Sequence, residues 1–220
     1  MTTIQPVSSA SSTRLSKLRF GNRRFERGVL TDREIRRALI EGDLSVAPFD
    51  DSLIRPAAVS LRLGEEAFSL VSTGAVDIAD RTTYPDLVPK NLDDQGRLRV
   101  EPGEVVLAPT LERIGLSSRL AGLVDGTSDY ARLGISVVLC GQVSPGFGSN
   151  NGAVLTLEIV NHLRHAVLLR PGARICNVML FASTGSEESY DRIPHNYSND
   201  HFVMPSRLAD RIESTHNSRN

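Results

Sequence analysis

The sequence predicts a mainly β chain, an antiparallel sandwich or barrel entered through one N-terminal helix. Three observations carry this. Apolar runs of strand length recur between Val59 and Phe181. Turn signals separate them, at Glu101-Pro102-Gly103-Glu104, Gly146 to Gly152 and Arg170-Pro171-Gly172-Ala173. A helical signature with both ends marked occurs ahead of all these runs. Many short strands with punctuating turns bury their apolar faces by sheet packing or closure.

The helix is predicted over about Asp32 to Glu41. Thr31 and Glu34 make a capping box, Leu30 and Ile35 a hydrophobic staple, and Ile35, Ala38 and Leu39 an apolar stripe ended by Gly42. Pro48 and Arg55-Pro56 break any further helix, and Val59, Leu61 and Leu63 alternate with Ser60 and Arg62 as a strand ending at Gly64. Further strands are expected in Phe68–Val71, Val105–Ala108, Ile135–Leu139, Ala153–Val160, Ala166–Leu169 and Ile175–Phe181. Tyr84 to Arg99 reads as a long polar loop. Beyond Gly185 the chain is polar again, an arm that packs on a neighbour, closes over a site or frays.

At 220 residues the chain has the length of one domain with a substantial core. Residues 1–29 are expected to be a disordered basic tail, 30–212 the folded domain and 213–220 a flexible C-terminus. Six Lys and Arg against Glu26 give residues 1 to 27 a net charge of +5, which leaves −6 for the remainder of a total of −1. A loose polyanion contact or a transit sequence are alternative uses of the tail. An acidic domain argues against a nucleic-acid polymer as partner. Without a run of eighteen apolar residues or the apolar core of a secretory signal, the expectation is a cytoplasmic protein with no membrane partner. Cys140 and Cys176 lack metal or disulfide spacing and are expected to be buried small residues.

The chemistry concentrates between Leu123 and Asn161. After Asp125-Gly126, Thr127 or Ser128 can cap a short helix, on which Ser128 and Arg132 are four apart and share a face. In Ala153 to Asn161, Leu155, Leu157 and Ile159 alternate with Val154, Thr156, Glu158 and Val160. Glu158 is therefore a carboxylate in an apolar strand, which has a partner, has a job or sits on a solvated rim. No zinc spacing joins His162, His165, His195, His201 and His216, and no phosphate-binding P-loop or GxSxG motif is present.

These residues resemble the dCTP deaminase branch of the dUTPase superfamily over about Leu30 to Ile212. The resemblance is carried by Pro56-Ala57-Ala58-Val59-Ser60-Leu61-Arg62-Leu63-Gly64, by Leu107 to Glu112, by Asp125-Gly126-Thr127-Ser128-Asp129-Tyr130-Ala131-Arg132-Leu133-Gly134, and by Pro145-Gly146-Phe147, Leu157-Glu158 and Arg170-Pro171-Gly172. It implies a distorted β-barrel or jelly roll, a homotrimer with sites at its subunit interfaces, and metal-independent hydrolytic deamination of a cytosine nucleotide. By position, Glu158 is implied as general base and acid, Ser128 as the hydroxyl holding the water and Arg132 as the guanidinium beside both. Thr127, Asp129, Ser144, Thr156, Leu157, Tyr190 and Asp200 are the implied substrate contacts. No cofactor is implied for the chemistry, and Mg²⁺ enters only with a nucleotide phosphate.

Departures from the family pattern are concentrated in the substrate grip. Thr127 stands in place of an Arg, Asp129 in place of a Ser, Ser144 in place of an Asp, Asn196 in place of a Lys and Asp200 near a Gln position. Asp129 facing a triphosphate is repulsive, whereas in a first helical turn it is favourable. The expectation is a deaminase with altered phosphate recognition and without dUTP hydrolysis; the alternative is an inactive relative that binds a nucleotide or a protein.

Overall fold

The computed structural model describes residues 28–198 and 200–217. Its first elements are β1 (Gly28–Val29), α1 (Asp32–Glu41), β2 (Leu44–Ala47), β3 (Ile54–Arg55), β4 (Ala58–Arg62), β5 (Phe68–Val71), β6 (Asp86–Pro89) and β7 (Leu98–Val100). There follow β8 (Val105–Leu116), β9 (Leu120–Gly126), α2 (Ser128–Arg132), β10 (Ile135–Ser136), β11 (Gln142–Val143), β12 (Ala153–Asn161), β13 (Val167–Leu169), β14 (Arg174–Ala182) and α3 (Leu208–Asn217). Residues 1 to 27 of the expected basic tail lie outside the described residues, and Gly28 and Val29 pair with Ala182 and Phe181 as a strand.

The helix forms where its signals place it. The Glu34 carboxylate accepts the Thr31 N–H at 2.9 Å and the Thr31 hydroxyl at 3.0 Å, and Gly42 ends the helix in the left-handed region at φ 76°. Ile35 and Ala38 are fully buried on the core side.

Among the described residues every strand pairing is antiparallel. One sheet has the order β11-β9-β14-β4-β3, with β1 also on β14; the other has β10-β12-β8-β5-β6, with β2 also on β8; β13 and β7 form a separate ribbon. Val59, Leu61, Val178 and Leu180 of the first sheet and Val106, Ala108, Leu157 and Ile159 of the second share one apolar core. The sheets do not close into a barrel, so the expected barrel or jelly roll is realised as a jelly-roll-like sandwich.

The expected polar loop at Tyr84 to Arg99 is a correction. It holds β6, paired with β5, and the start of β7, paired with β13. Both are short and sit at edges, where one partner strand suffices and an apolar run is not needed. In the other direction, Ile135–Leu139 contributes only Ile135 and Ser136 to a strand. At the C-terminal end α3 runs on past Ile212 to Asn217.

The pairing of β12 with β8 is interrupted between Val154 and Thr156, where their partners jump from Arg113 to Pro109. Pro109 offers no N–H to a ladder, and the Thr110 hydroxyl fills the gap by accepting the Leu155 N–H at 3.0 Å. The irregularity resets β12 just before Thr156 and Glu158. At the far end, buried Asn161 donates to the Val100 and His165 carbonyls and accepts from Leu163, which fixes the turn beyond the strand.

Candidate active site in two halves

The first half grows from the end of β9. Thr127, extended at φ −88° and ψ 157°, breaks the strand and occupies the N-cap of α2, without a side-chain capping hydrogen bond. Gly126 is held from behind by the Asp125 carboxylate, which accepts its N–H at 2.7 Å. A Cβ on Gly126 would lie 3.2 Å from Val137, so the turn packs closely on the next segment. Tyr130 ties the turn to β14 through a 3.1 Å hydrogen bond from its hydroxyl to the Arg174 carbonyl. Burial, with the Asp129 charge behind it, pushes the Tyr130 phenol above its ordinary value.

Thr127, Ser128 and Asp129 line a cavity of about 650 Å³. The sheet order β14-β4-β3 adds Arg174, Ser60, Asn177 and Arg55 to its walls. The Ser60 hydroxyl donates to Asn177 Oδ1 at 2.8 Å across that floor. In the sequence Arg55-Pro56 signals only a helix breaker, and Arg174 carries no signal of its own. Their positions in the chain are 119 apart and carry no joint signal; strand pairing brings them together.

The second half is built on β12. Glu158 is half-buried, and its Oε2 accepts the Leu139 N–H at 3.1 Å and the Cys140 N–H at 3.5 Å. The partner of this carboxylate is thus backbone, supplied by the segment that leaves β10. Gly141 lets that segment pass: a Cβ there would run into the Val124 carbonyl. Cys140 is exposed beside the carboxylate rather than buried, while Cys176 is buried as expected, with its thiol pushed up to about 12 by burial and by the nearby Glu112 carboxylate.

Glu158, Thr156, Ser144, Tyr190 and Asp200 all line a second cavity, of about 520 Å³. Its walls include Phe147, Tyr84, Tyr197 and Met204, which make it more apolar than the first. Phe147 and Tyr190 pack with ring centroids 6.2 Å apart.

The polar arm beyond Gly185 packs over this second cavity. The buried Ser198 hydroxyl accepts the Gly148 N–H at 3.0 Å and donates to the Gly146 carbonyl at 3.2 Å, which ties the arm to the long glycine turn. Asn196 spends its amide on the Asp191 and Ile193 carbonyls and accepts the Ser198 N–H at 2.7 Å, a local structural use. Asp200 is ion-paired with Arg207 at 3.0 Å, and the Arg207 guanidinium also lies 4.7 Å over the Tyr197 ring.

The expected reacting trio is divided. Ser128 lines the first cavity and Glu158 the second, while Arg132, exposed at the end of α2, lines neither. Leu157 needs a correction as a side-chain contact: it is 1% exposed in the core and lines neither cavity, because the period of β12 turns it away from Glu158. Among the described residues no cluster of three or more His, Cys, Asp or Glu is gathered as for a metal ion. No helix is long and apolar enough to cross a membrane.

A family model described as dCTP deaminase-like matches residues 29–183. A protein of Dictyoglomus thermophilum named "dCTP deaminase, dUMP-forming" is 34% identical over 187 residues, covering 82% of this chain and 94% of that protein. One of Methanosphaera stadtmanae with the same name is 32% identical over 165 residues, covering 73% of this chain and 82% of that protein. The crystal structure of the 2'-deoxycytidine 5'-triphosphate deaminase of Agrobacterium tumefaciens is similar in fold, with a TM-score of 0.55 and 20% identity over 71% of this chain. The match spans 49% of that longer chain.

Proposed function

The chain belongs to the dCTP deaminase-like family, and from that premise we propose that it is a metal-independent hydrolytic deaminase of a cytosine deoxynucleotide, acting in the cytoplasm as a homotrimer. The observation that carries the reading is the half-buried Glu158 carboxylate, anchored through Oε2 on two peptide N–H groups in a cavity walled by aromatic side chains. An anchored carboxylate in such a setting is poised to move protons, and the cavity is of a size to take a base.

In this reading Glu158 takes a proton from a water held by the Ser128 hydroxyl, and the resulting hydroxide oxygen bonds to C4 of cytosine. The C4–N3 π pair moves to N3, which receives the proton from Glu158. The proton of the new C4 hydroxyl then passes through Glu158 to the amino nitrogen. The C4–N bond breaks with its pair on nitrogen, ammonia leaves, and the C4 carbonyl of uracil remains. Arg132 enters with Ser128 as the guanidinium beside both groups.

One chain holds Ser128 and Glu158 in different cavities, so the reading needs the Ser128 and Arg132 of one subunit beside the Glu158 of another. Thr127, Asp129, Ser144, Thr156, Tyr190 and Asp200 contact the nucleotide around this centre. Mg²⁺ enters with the phosphates. The Asp129 carboxylate and the Thr127 and Ser128 hydroxyls are oxygen donors of the type that ion accepts when phosphate and water fill most of its shell.

The test follows ammonia release from dCTP, dCMP and deoxycytidine with the wild type and Glu158→Gln. Release that Glu158→Gln abolishes supports the reading; three inert substrates together with indistinguishable proteins overturn it. A second reading, in which dUMP is the final product, is favoured by the names of the two relatives. Against it, Ser144 offers a hydroxyl and not a carboxylate to orient a second water. Separation of dUTP from dUMP among the products decides between them.

A further inference from the structure

We propose that Arg55 and Arg174 grip the phosphate chain of the nucleotide in the first cavity, in place of the cation that the Thr127 turn lacks. The identity of the ligand rests on the deaminase reading; that it is an anion rests on the cavity.

Arg55 closes β3 and Arg174 opens β14, and these strands flank β4 on its two sides. The two guanidinium groups therefore approach one cavity from opposite walls, over a floor made by Ser60 and Asn177. Other arginines are committed to carboxylates: Arg62 to buried Glu112, Arg36 to Asp51 and Arg119 to Asp43. Among the described residues neither Arg55 nor Arg174 enters such an ion pair. The Asp50 carboxylate, which feels the Arg174 charge from a distance, is bound to the Ser52 N–H at 2.9 Å. Inside the cavity Asp129 is the single acid, so the walls carry one more positive than negative charge.

Two exposed guanidinium groups facing the same space repel each other unless an anion lies between them. A guanidinium offers parallel donors that match two oxygens of a phosphate, and hydroxyl groups complete its remaining acceptors. Thr127 supplies such a hydroxyl. Recognition then divides between the cavities, with phosphate read at Arg55 and Arg174 and base read around Glu158. Affinity consequently rises from deoxycytidine to dCMP to dCTP, and the rise belongs to the two arginines.

The experiment compares wild type, Arg55→Gln, Arg174→Gln, the double variant and an Arg164→Gln control on the exposed turn after β12. Melting temperatures are read with inorganic tripolyphosphate, dCTP and deoxycytidine, and KM and kcat with dCTP. Each single variant is expected to raise the KM for dCTP about tenfold, the typical loss for a charge-assisted hydrogen bond. kcat stays within about threefold, and the double variant loses the stabilisation by tripolyphosphate. Unliganded melting temperatures that match wild type show that the variants fold.

A double variant that keeps the wild-type tripolyphosphate shift, or a control that loses as much as the double variant, overturns the proposal. The deaminase reading fails separately. If no substrate releases ammonia yet the tripolyphosphate shift disappears with the arginines, the anion site stands without the reaction.

Discussion

The two cavities differ in kind, although strands of one sandwich build both. The first is walled by Arg55, Arg174, Asp129 and hydroxyl groups. The second sets Glu158, anchored on backbone, and Asp200, paired with Arg207, among Phe147, Tyr84, Tyr190 and Tyr197. Charge recognition needs cations in contact with water, whereas base recognition and proton transfer need a drier wall. Here the two are kept apart within the chain. Under the proposed reaction a complete centre takes a second copy, with the polar half of one subunit facing the aromatic half of the next.

The largest effect tests that division. Glu158→Gln should lower the rate of ammonia release about a thousandfold, in the range for loss of a general acid and base, because its amide oxygen can still accept the Leu139 N–H but cannot carry a proton. Ser128→Ala should be similarly impaired, through the loss of the hydroxyl that positions water. Mixing the two defective proteins after partial unfolding and reassembly should restore about a quarter of wild-type activity, since random pairing leaves that share of interfaces with both intact halves. No recovery, with mixed oligomers verified by mass, would place the complete centre within one chain.

The two faces of β12 sharpen the comparison on a smaller scale. Leu157→Ala removes a fully buried side chain from the shared core and should destabilise the fold by about 3 kcal/mol, measured by denaturant unfolding. The KM for nucleotide should hardly move. Thr156→Val, one residue away on the cavity face, should reverse the pattern, with stability unchanged within about 1 kcal/mol and KM altered. Equal stability losses would mean that the alternation of β12 does not separate core from site.

That alternation was legible in the sequence, as were α1 and the turns at Gly103 and Gly172. Each rests on local rules: a period of two, a cap, a residue with positive φ. β6, β7 and β11 were not legible, because edge strands of two to four residues need no apolar run and are defined by the partner they join. The site divided along the same line. Ser128 and Glu158 belong to contiguous motifs and could be singled out. Arg55 and Arg174 meet only through β4, and the backbone anchor of Glu158 depends on how Val137 to Gly141 leaves β10, which no spacing records. The splitting of the trio was equally invisible, since sequence proximity of Ser128 and Glu158 says nothing about which cavity each lines.

A smaller effect is expected where the first cavity joins the core. Tyr130→Phe deletes the 3.1 Å hydrogen bond to the Arg174 carbonyl and should lower stability at pH 7 by about 1 kcal/mol. The sign with pH follows from the raised phenol. Burial and Asp129 favour the neutral form in the folded state, so that contribution is complete below about pH 10 and is lost as the pH rises through the folded value. The stability gap between wild type and Tyr130→Phe should therefore narrow above about pH 10. A gap that widens instead would mean that the folded state stabilises the phenolate.

The smallest effect concerns Asp129 itself, exposed in the first turn of α2 and facing the cavity that the arginines line. As a helix residue it gains a few tenths of a kcal/mol from the backbone amides of that turn, and as a neighbour of phosphate it loses under about 1 kcal/mol in water. Asp129→Ser should thus lower the KM for dCTP about threefold while leaving that for deoxycytidine unchanged. Both charges are in contact with solvent, so the advantage should shrink as ionic strength rises toward about 1 M, where screening acts within about 3 Å. If Asp129→Ser raises the KM instead, the carboxylate is contributing a ligand, as it would by sharing the Mg²⁺ that accompanies the phosphates. A titration of KM against free Mg²⁺ separates the two roles: repulsion predicts the same Mg²⁺ dependence in both proteins, and a shared ion predicts that the variant requires more.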